Sequence, residues 1–189
     1  MGKKLDENIY RVPQLTRKIE WTRIRRSLFT PVQCDALVRF ADTKGRYYRS
    51  GGKLIDRKVE ICYVLPQDVP WAYEKIATTF ATENVWGFVL SAMVEPMRIQ
   101  RYRRGSYTGH HTDYDYESTD QSKITAIVPL VRRTSWEGGE FSLRGVRIRK
   151  TPDKGDCLVF PSFACHGLSV ITKGARIVLS AWVAGPRLV

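Results

Sequence analysis

Short apolar runs separated by Gly, Pro or charged residues fill the chain from Val85 onward. Runs of a few residues rich in Val, Ile and aromatic side chains predict short β-strands. The stretch from Arg176 to Val183 is almost wholly apolar after its first residue and predicts a buried strand. Many short strands divided by turns are typical of a jelly-roll barrel, so the second half of the chain predicts a mainly β fold.

The first half of the chain predicts two helices. Thr30 and Pro31 have the residue types of an N-cap and first helical position, and the helix they open should end near Gly45. Asp68 can cap a second helix, which carries an apolar stripe made of Ala72, Ile76 and Phe80. We expect these N-terminal helices to buttress one face of the barrel.

Between the helices, residues 59–64 alternate as in a strand, and residues 46–58, with Gly51 and Gly52, predict a loop. Residues 113–123 are polar and predict either a lid or a solvated surface loop. With 189 residues the chain is most simply one domain (1–189). We expect a possible arm at 1–20, helices and supporting strands at 21–98, and a catalytic core at 99–186.

Composition bears on the compartment. The four cysteines (Cys34, Cys62, Cys157 and Cys165) are scattered without CxxC pairing, which favours free thiols over a disulfide framework. The polar N-terminus lacks the apolar segment of a signal peptide, and no apolar run has the length of a membrane span. The sequence therefore predicts a cytoplasmic location and no membrane partner.

Two of only three histidines fall in a pattern that predicts a metal site. His111 and Asp113 are spaced i, i+2, which places both side chains on one face of a β-strand. His166 is the only histidine downstream of Asp113 and can supply a third ligand. Two imidazoles and one carboxylate form the facial triad of non-haem Fe(II) oxygenases, which leaves coordination positions open. His110 is an alternative ligand, although its i, i+3 spacing from Asp113 predicts the wrong strand face.

Arg176 opens the predicted buried strand and therefore needs an anionic partner. Burial of an unpaired guanidinium costs several kcal/mol, on the order of the effective penalty for one ion. A guanidinium binds a carboxylate through two parallel hydrogen bonds. A dicarboxylic co-substrate that lies between the metal and Arg176 would supply that partner.

The segment from Ile99 to Pro186 resembles the double-stranded β-helix (jelly-roll or cupin-like) core of Fe(II)/2-oxoglutarate-dependent dioxygenases, and most closely the prolyl 4-hydroxylase branch. The resemblance rests on a series of motifs in the expected order, from Tyr102-Arg103-Arg104-Gly105-Ser106-Tyr107 to His110-His111-Thr112-Asp113, Trp136-Glu137-Gly138-Gly139-Glu140-Phe141, Lys154-Gly155-Asp156, Val159-Phe160-Pro161-Ser162, His166-Gly167-Leu168-Ser169-Val170 and Gly174-Ala175-Arg176.

The resemblance implies that His111, Asp113 and His166 bind Fe(II). It implies that Arg176 pairs with the distal carboxylate of 2-oxoglutarate, that Tyr102 hydrogen-bonds this co-substrate, and that O2 takes part, with ascorbate as a further candidate. Tyr102 could instead be a core aromatic residue, and Gly138-Gly139 either an ordinary turn or a close backbone approach to the site. Where the branch often has a second tyrosine, the strand 124–128 offers only Thr125 as a polar residue.

The resemblance favours hydroxylation of a C–H bond, most simply of a peptidyl proline, and so a protein or peptide substrate. Net charge of +12 keeps a nucleic-acid base hydroxylase or demethylase as an alternative, because basic clusters attract polyanions. A catalytically silent barrel used for binding is a third hypothesis. The basic clusters are Arg23, Arg25, Arg26; Arg98, Arg101, Arg103, Arg104; and Arg144, Arg147, Arg149, Lys150.

Overall fold

The computed structural model describes residues 20–43, 47–50, 57–114, 119–143, 148 and 151–187. Several predictions lie outside these residues: all of the arm at 1–20 except its last residue, the helix end near Gly45, the Gly51-Gly52 pair, the middle of the polar segment 113–123, and the four residues of the third basic cluster. Within the described ranges, no helix is long and apolar enough to cross a membrane.

The described residues form two α-helices, a short 3-10 helix and eleven strands. The helices are α1 (Pro31–Thr43) and α2 (Pro70–Glu83), with the 3-10 helix at Arg133–Ser135. The strands are β1 (Arg23–Arg25), β2 (Tyr47–Ser50), β3 (Arg57–Val64), β4 (Met97–Arg103), β5 (Tyr107–His111), β6 (Asp120–Pro129), β7 (Trp136–Gly138), β8 (Phe141–Leu143), β9 (Cys157–Pro161), β10 (His166–Leu168) and β11 (Ile171–Pro186).

The strands form one curled antiparallel sheet in the order β1-β9-β6-β11-β4-β3-β5-β10-β8. Strand β3 connects the two halves of the curled sheet. Its residues 60–64 pair with β4 in one half, and its residues 57–58 pair with β5 in the other. The mainly β jelly-roll fold expected from the sequence is confirmed. The curl brings β5 and β10, which carry the two predicted histidine ligands, over the inner face of β6 and β11.

Strand alternation divides the apolar residues between two cores. On β11, Leu179 and Ala181 face the core shared with the helices, whereas Val178 belongs to the core inside the curl. Residues of β6 divide in the same way, with Ala126 on the helix side and Ile127 inside. This follows from the two-residue period of a strand. On each strand, the alternate side chains that face the inside of the curl are therefore placed where they can form a site.

Both predicted helices are confirmed, and one predicted cap is wrong. Thr30 Oγ1 accepts a hydrogen bond from the Gln33 backbone N–H at 3.2 Å, and Gln33 Oε1 accepts from the Thr30 N–H at 3.0 Å, as in a capping box. Asp68 does not cap α2, because its carboxylate accepts the Leu65 N–H and closes the preceding turn. The stripe of α2 is buried as predicted.

Two predicted loops are partly strands. The sequence placed residues 47–50 and 57–58 in a loop because of the Gly-rich and basic composition around them. Residues 47–50 instead form β2 and pair with residues 59–62 of β3, and residues 57–58 pair with β5. Residues 120–123 begin β6, and residues 120–122 pair with the end of β11. In both cases pairing with a distant strand overrides the local polar pattern, which sequence alone does not reveal.

The Gly138-Gly139 pair makes a close backbone contact away from the cavity. Both glycines have positive φ (71° and 60°), and a Cβ on Gly138 would lie 2.4 Å from the Val170 carbonyl oxygen. A Cβ on Gly139 would lie 2.2 Å from the Ile171 side chain. The approach allows β7 to pack on the start of β11, so these glycines serve the strand pairing.

Candidate active site

The three predicted metal ligands lie together at one end of the inner sheet. His111 is the last residue of β5 and His166 the first residue of β10, and the two residues are opposite each other in the antiparallel register. Their ring centroids are 4.4 Å apart. Asp113 lies two residues beyond the end of β5, so it is not on the strand face where the i, i+2 spacing predicted it, but its carboxylate still faces Nε2 of both rings.

The donor atoms of these side chains converge on one point. Asp113 Oδ1 lies 3.3 Å from His111 Nε2, and Asp113 Oδ2 lies 3.5 Å from His166 Nε2. One ligand atom from each residue falls within 4.8 Å of the others. In the part of the chain that the structure describes, these three residues form the group of His, Cys, Asp and Glu side chains that could hold a metal. Two nitrogens and a carboxylate in a half-enclosed site fit Fe(II).

Backbone carbonyls fix both imidazoles in the orientation that metal binding requires. His111 Nδ1 lies 3.0 Å from the Gly109 carbonyl oxygen, and His166 Nδ1 lies 2.9 Å from the Ala164 carbonyl oxygen. A carbonyl oxygen only accepts hydrogen bonds, so each Nδ1 carries the proton and donates it. In the neutral ring, Nε2 then carries the lone pair that ligates a cation. In the protonated ring without a metal, His111 Nε2 instead donates a hydrogen bond to Asp113.

Thr125 holds the carboxylate ligand, a role that the sequence analysis did not assign. Its hydroxyl donates to Asp113 Oδ2 at 2.8 Å and lies 3.0 Å from the Ser162 hydroxyl. The Asp113 backbone N–H donates to the Ser162 carbonyl oxygen at 2.9 Å. Thr125 was noted as the polar residue of its strand. Its partner could not be identified, because Asp113 lies on a different element.

Electrostatics keep the carboxylate ionised. Burial raises the pKa of Asp113, but the hydrogen bond with His111 and the charge of His166 outweigh burial and lower that pKa to about 2. Burial lowers the pKa of His166. Burial also lowers the pKa of His111, yet its hydrogen bond with Asp113 and the charge of that residue raise it above the ordinary value overall. A negative carboxylate between two imidazoles attracts a divalent cation.

Arg176 is buried on the same inner face, as predicted. Its exposed fraction is 7 %, and burial lowers the pKa of its guanidinium to about 10. Among the described residues no carboxylate pairs with it, and its guanidinium carbon lies 5.6 Å from the centroid of the Tyr102 ring. A buried cation of this kind is stabilised when an anion enters the cavity.

Tyr102 lies beside Arg176, since the two residues are opposite each other on β4 and β11. The Tyr102 side chain is 4 % exposed, and its hydroxyl lies 3.2 Å from Thr108 Oγ1. Burial raises the pKa of Tyr102, so the hydroxyl keeps its proton and remains a donor. Tyr102 thus has a structural partner and also lines the cavity, so both interpretations made from the sequence agree with its position.

One cavity joins the metal-ligand end to the Arg176 end. It encloses about 510 Å³, part of it open to solvent. Sequence reasoning missed five polar or aromatic residues of its wall, since each lies on a strand whose inner face only the sheet register reveals. They are Arg57, Gln100, Thr108, Ser180 and Trp182.

Two residues next to the ligands lie outside the metal-binding group, as expected. His110 is exposed, and its Nε2 lies 3.0 Å from Ser142 Oγ, away from Asp113. Cys165 contributes no ligand atom to the group formed by His111, Asp113 and His166. The strand-parity argument that made His110 a flanking residue therefore agrees with the structure.

Most arginines of the first two basic clusters are neutralised within the fold. Arg23 pairs with Glu20 and Glu83, and Arg26 pairs with Asp156. In the second cluster, acidic partners lie beside three of the four arginines, in the pairs Arg98–Glu95, Arg101–Asp42 and Arg103–Glu60. These ion pairs reduce the positive field that a polyanion would encounter.

A two-histidine, one-carboxylate site inside a jelly-roll barrel is the arrangement that mononuclear non-haem iron oxygenases use. Comparison with known proteins agrees with this class. Residues 97–184 match the family model of the 2OG-Fe(II) oxygenase superfamily. This match confirms the resemblance found in the sequence for these residues.

Two relatives of this chain are named as hydroxylases. The chain is 29% identical over 92 residues to a PKHD-type hydroxylase of Idiomarina loihiensis, and 31% identical over 93 residues to a PKHD-type hydroxylase of Picosynechococcus. Each alignment covers 48% of this chain and 42% of the relative. The match therefore spans less than half the length of these relatives.

Solved structures share the fold. A viral collagen prolyl hydroxylase of Paramecium bursaria Chlorella virus-1, in a 2OG complex, superposes with a TM-score of 0.71 at 20% identity, covering 88% of this chain and 97% of that one. A Pseudomonas putida prolyl-4-hydroxylase superposes with a TM-score of 0.68 at 16% identity, covering 89% and 94%. At these identities the likeness establishes the common architecture.

Proposed function

We propose that the protein is an Fe(II)- and 2-oxoglutarate-dependent dioxygenase that hydroxylates a C–H bond of a peptidyl proline. The observation that carries this proposal is the convergence of three ligand atoms within 4.8 Å, in one cavity with a buried arginine that has no carboxylate partner among the described residues. A divalent cation and a dicarboxylate would satisfy both ends of the cavity at once.

In this proposal His111, Asp113 and His166 hold Fe(II), and Arg176 binds the distal carboxylate of 2-oxoglutarate. When bound, the iron with 2-oxoglutarate and O2 supplies the oxidising chemistry, and ascorbate can serve as a reductant. Tyr102 donates a hydrogen bond to the co-substrate from its protonated hydroxyl. None of these side chains has to act as a general base, because cleavage of the C–H bond would belong to the oxidising chemistry that the bound iron and co-substrate supply.

The remaining residues of the cavity position and shield the reactants. Thr125 keeps the Asp113 carboxylate in one orientation, and the carbonyls of Gly109 and Ala164 do the same for the two rings. Apolar side chains such as Ile127, Phe141 and Val178 line the wall and exclude water from the reacting centre.

Support for a proline in a polypeptide comes from proteins that share this fold. Besides the two prolyl hydroxylases above, a Trichoplax adhaerens prolyl hydroxylase in complex with a hypoxia inducible factor peptide superposes with a TM-score of 0.69 at 11% identity, covering 86% of this chain and 83% of that one. The internal ion pairs of the basic clusters give no support to a nucleic-acid substrate.

The proposal extends to organisation and compartment. We place one domain at 1–189 with the catalytic core at 99–186, because β3 and the two helices pack directly on that core. We place the protein in the cytoplasm, because all four cysteines are free thiols and three of them are buried, as expected in a reducing compartment.

Succinate release tests the reaction class. The enzyme is incubated with 2-oxoglutarate, Fe(II) and ascorbate without further substrate, and slow succinate formation is expected, whereas a silent barrel forms none. Incubation with cell lysate then distinguishes the substrates. An added 16 Da on digested proteins supports the peptide proposal, while the same mass added only to digested nucleosides contradicts it.

A further inference from the structure

A glutamine on β4 lies between the two ends of the cavity. Gln100 is half-buried, lines the cavity and is opposite Val178 of β11 in the sheet register. Along β11, Val178 comes two residues after Arg176 and before Trp182, which is opposite Thr125 at the metal-ligand end. A strand advances about 6.6 Å in two residues. A five-carbon diacid that is held by Arg176 and reaches towards the metal ligands therefore passes Gln100.

Ser180 fixes the orientation of the Gln100 side chain. The buried Ser180 hydroxyl donates a hydrogen bond of 2.7 Å to Gln100 Oε1. This bond occupies the amide oxygen and uses the only proton of the serine hydroxyl. Among the residues that the structure describes, none accepts a hydrogen bond from Gln100 Nε2. The two N–H groups of the amide are therefore available on a residue of the cavity wall.

Strand β6, by contrast, offers a co-substrate no hydrogen-bond donor from its described residues in the cavity wall. These residues are Thr125 and Ile127. Ile127 is apolar, and Thr125 donates its only proton to Asp113 Oδ2 at 2.8 Å. The strand on which the prolyl 4-hydroxylase branch often has a second tyrosine therefore cannot hold the co-substrate in this way. Another strand has to supply that donor.

Side chains of β4 and β11 present donors to the cavity. The Arg176 guanidinium has only donors, and burial raises the pKa of Tyr102, so that its hydroxyl keeps its proton. Gln100 adds two N–H groups, while Ser180 occupies its oxygen. A hydrogen bond from such a donor to a carboxylate is about twice as strong as one between neutral groups. This part of the wall therefore suits an anion.

We propose that the Gln100 amide donates a hydrogen bond to a carboxylate of 2-oxoglutarate, and that Ser180 positions the amide for this contact. The inference rests on the proposed function and adds a co-substrate-binding residue to it. Arg176 binds the distal carboxylate in that function. Gln100 supplies a second point of attachment between Arg176 and the metal ligands, and this keeps the acid in one orientation.

Binding of 2-oxoglutarate to the Mn(II)-loaded protein, measured by calorimetric titration, tests this role. Gln100→Leu removes the amide, and we expect about tenfold weaker binding, as for the loss of one hydrogen bond to a charged group. Gln100→Glu keeps the shape of the side chain and can still accept from Ser180, but it has no N–H and repels the acid. We expect about hundredfold weaker binding in this variant.

The order of these two variants distinguishes a donor from a structural residue. If Gln100 served only to accept the Ser180 hydrogen bond or to fill space, Gln100→Glu would bind 2-oxoglutarate better than Gln100→Leu. Ser180→Ala keeps the amide but releases its orientation, so its loss of affinity should be smaller than that of Gln100→Leu. With Fe(II), the KM for 2-oxoglutarate should rise by the same factors, while kcat at saturating 2-oxoglutarate stays near the wild-type value.

Gln67→Glu is the matched control. It makes the same chemical change at an exposed position in the turn before α2 and should keep the wild-type affinity for 2-oxoglutarate. Mn(II) affinity measured without 2-oxoglutarate should be the same in the wild type and the Gln100 variants, since Gln100 lies outside the metal-binding group. Thermal melts check that each variant is folded.

The possible failures are distinguishable. Wild-type affinity for 2-oxoglutarate in both Gln100 variants overturns the inference, and so does a loss in Gln100→Glu no greater than that in Gln100→Leu. Unchanged 2-oxoglutarate affinity with a raised KM for a proline peptide would assign the amide to the primary substrate instead. A wild type that neither binds 2-oxoglutarate nor forms succinate contradicts the proposed function itself, whereas the other outcomes contradict only the role of Gln100.

Discussion

Thr125 and Asp113 are joined by a hydrogen bond of 2.8 Å from the threonine hydroxyl to Oδ2 of the carboxylate. Since this bond uses the only proton of the Thr125 hydroxyl, the contact with Ser162 at 3.0 Å is one in which Ser162 donates. The chain Ser162–Thr125–Asp113 ties the turn after β9 to the segment after β5. It fixes one carboxylate oxygen and leaves the other facing His111.

Removal of the Thr125 hydroxyl should weaken metal binding. Thr125→Val keeps the shape of the side chain but frees the Asp113 carboxylate, and we expect Mn(II) affinity to fall by roughly 10–100-fold, as for other groups that orient a metal ligand. Thr125→Ser should retain most of the affinity. Calorimetric titration with Mn(II) measures both variants, and equal loss in the two would show that packing at this position matters more than the hydroxyl.

The two adjacent histidines should differ sharply in their effect on turnover. His111→Ala removes a donor atom of the converging group and should abolish uncoupled succinate formation. His110→Ala removes only an exposed contact with Ser142 and should retain a substantial part of it. The assay is succinate release with Fe(II) and ascorbate. Comparable loss in both variants would show that the ligand assignment is wrong.

Replacement of Arg176 should stabilise the protein without its ligands while preventing co-substrate binding. The buried guanidinium has no carboxylate partner among the described residues, so Arg176→Met should raise the free energy of unfolding by about 1–4 kcal/mol, the range seen when buried ionic groups are replaced by apolar ones. Urea unfolding measures this gain. The wild type should also gain thermal stability when 2-oxoglutarate and Mn(II) are added, whereas Arg176→Met should not.

Asp156 should make stability depend on acid pH. Burial raises the pKa of Asp156, but the backbone N–H groups of Ser27 and Asp153 and the Arg26 guanidinium outweigh burial and lower it. A carboxyl group with a lowered folded pKa stabilises the fold above its ordinary pKa of 3.8, and this contribution is lost as the pH falls through the folded value.

Asp156→Asn should therefore cost about 1–3 kcal/mol at pH 7 and flatten the decline in stability below pH 4. Unfolding by urea at a series of pH values measures both effects. Asp35→Asn is the control, because Asp35 is half-exposed in its pair with Lys154, and such surface pairs contribute about 0–1 kcal/mol. A decline as steep in Asp156→Asn as in the wild type would assign the acid sensitivity to other groups.

Local sequence signals predicted the elements that depend on neighbouring residues. Thr30 and Pro31 were predicted as N-cap and first helical position from adjacent residues alone, and the apolar stripe of α2 selects its buried face. Asp68 was predicted wrongly because a short acidic side chain can close a turn as well as cap a helix, and only the path of the backbone decides between them.

The metal-ligand group could be predicted because its residue types are scarce and their spacing is diagnostic. The i, i+2 spacing of His111 and Asp113 and the lack of another downstream histidine define three positions without knowledge of the fold. Arg176 was predictable for a related reason, since a charged residue at the start of an apolar strand needs a buried partner.

The sequence by itself determined the two helices, the strand-rich core, the three candidate ligands and the buried arginine, because each depends on residue type and short-range periodicity. Only the tertiary structure decided that Thr125 holds Asp113, that residues 47–50 form a strand, and that Arg57 faces the cavity. The physical reason is strand register. A side chain's neighbours across a sheet are set by pairing between segments far apart in the chain, and a shift of one residue would turn every side chain to the other face.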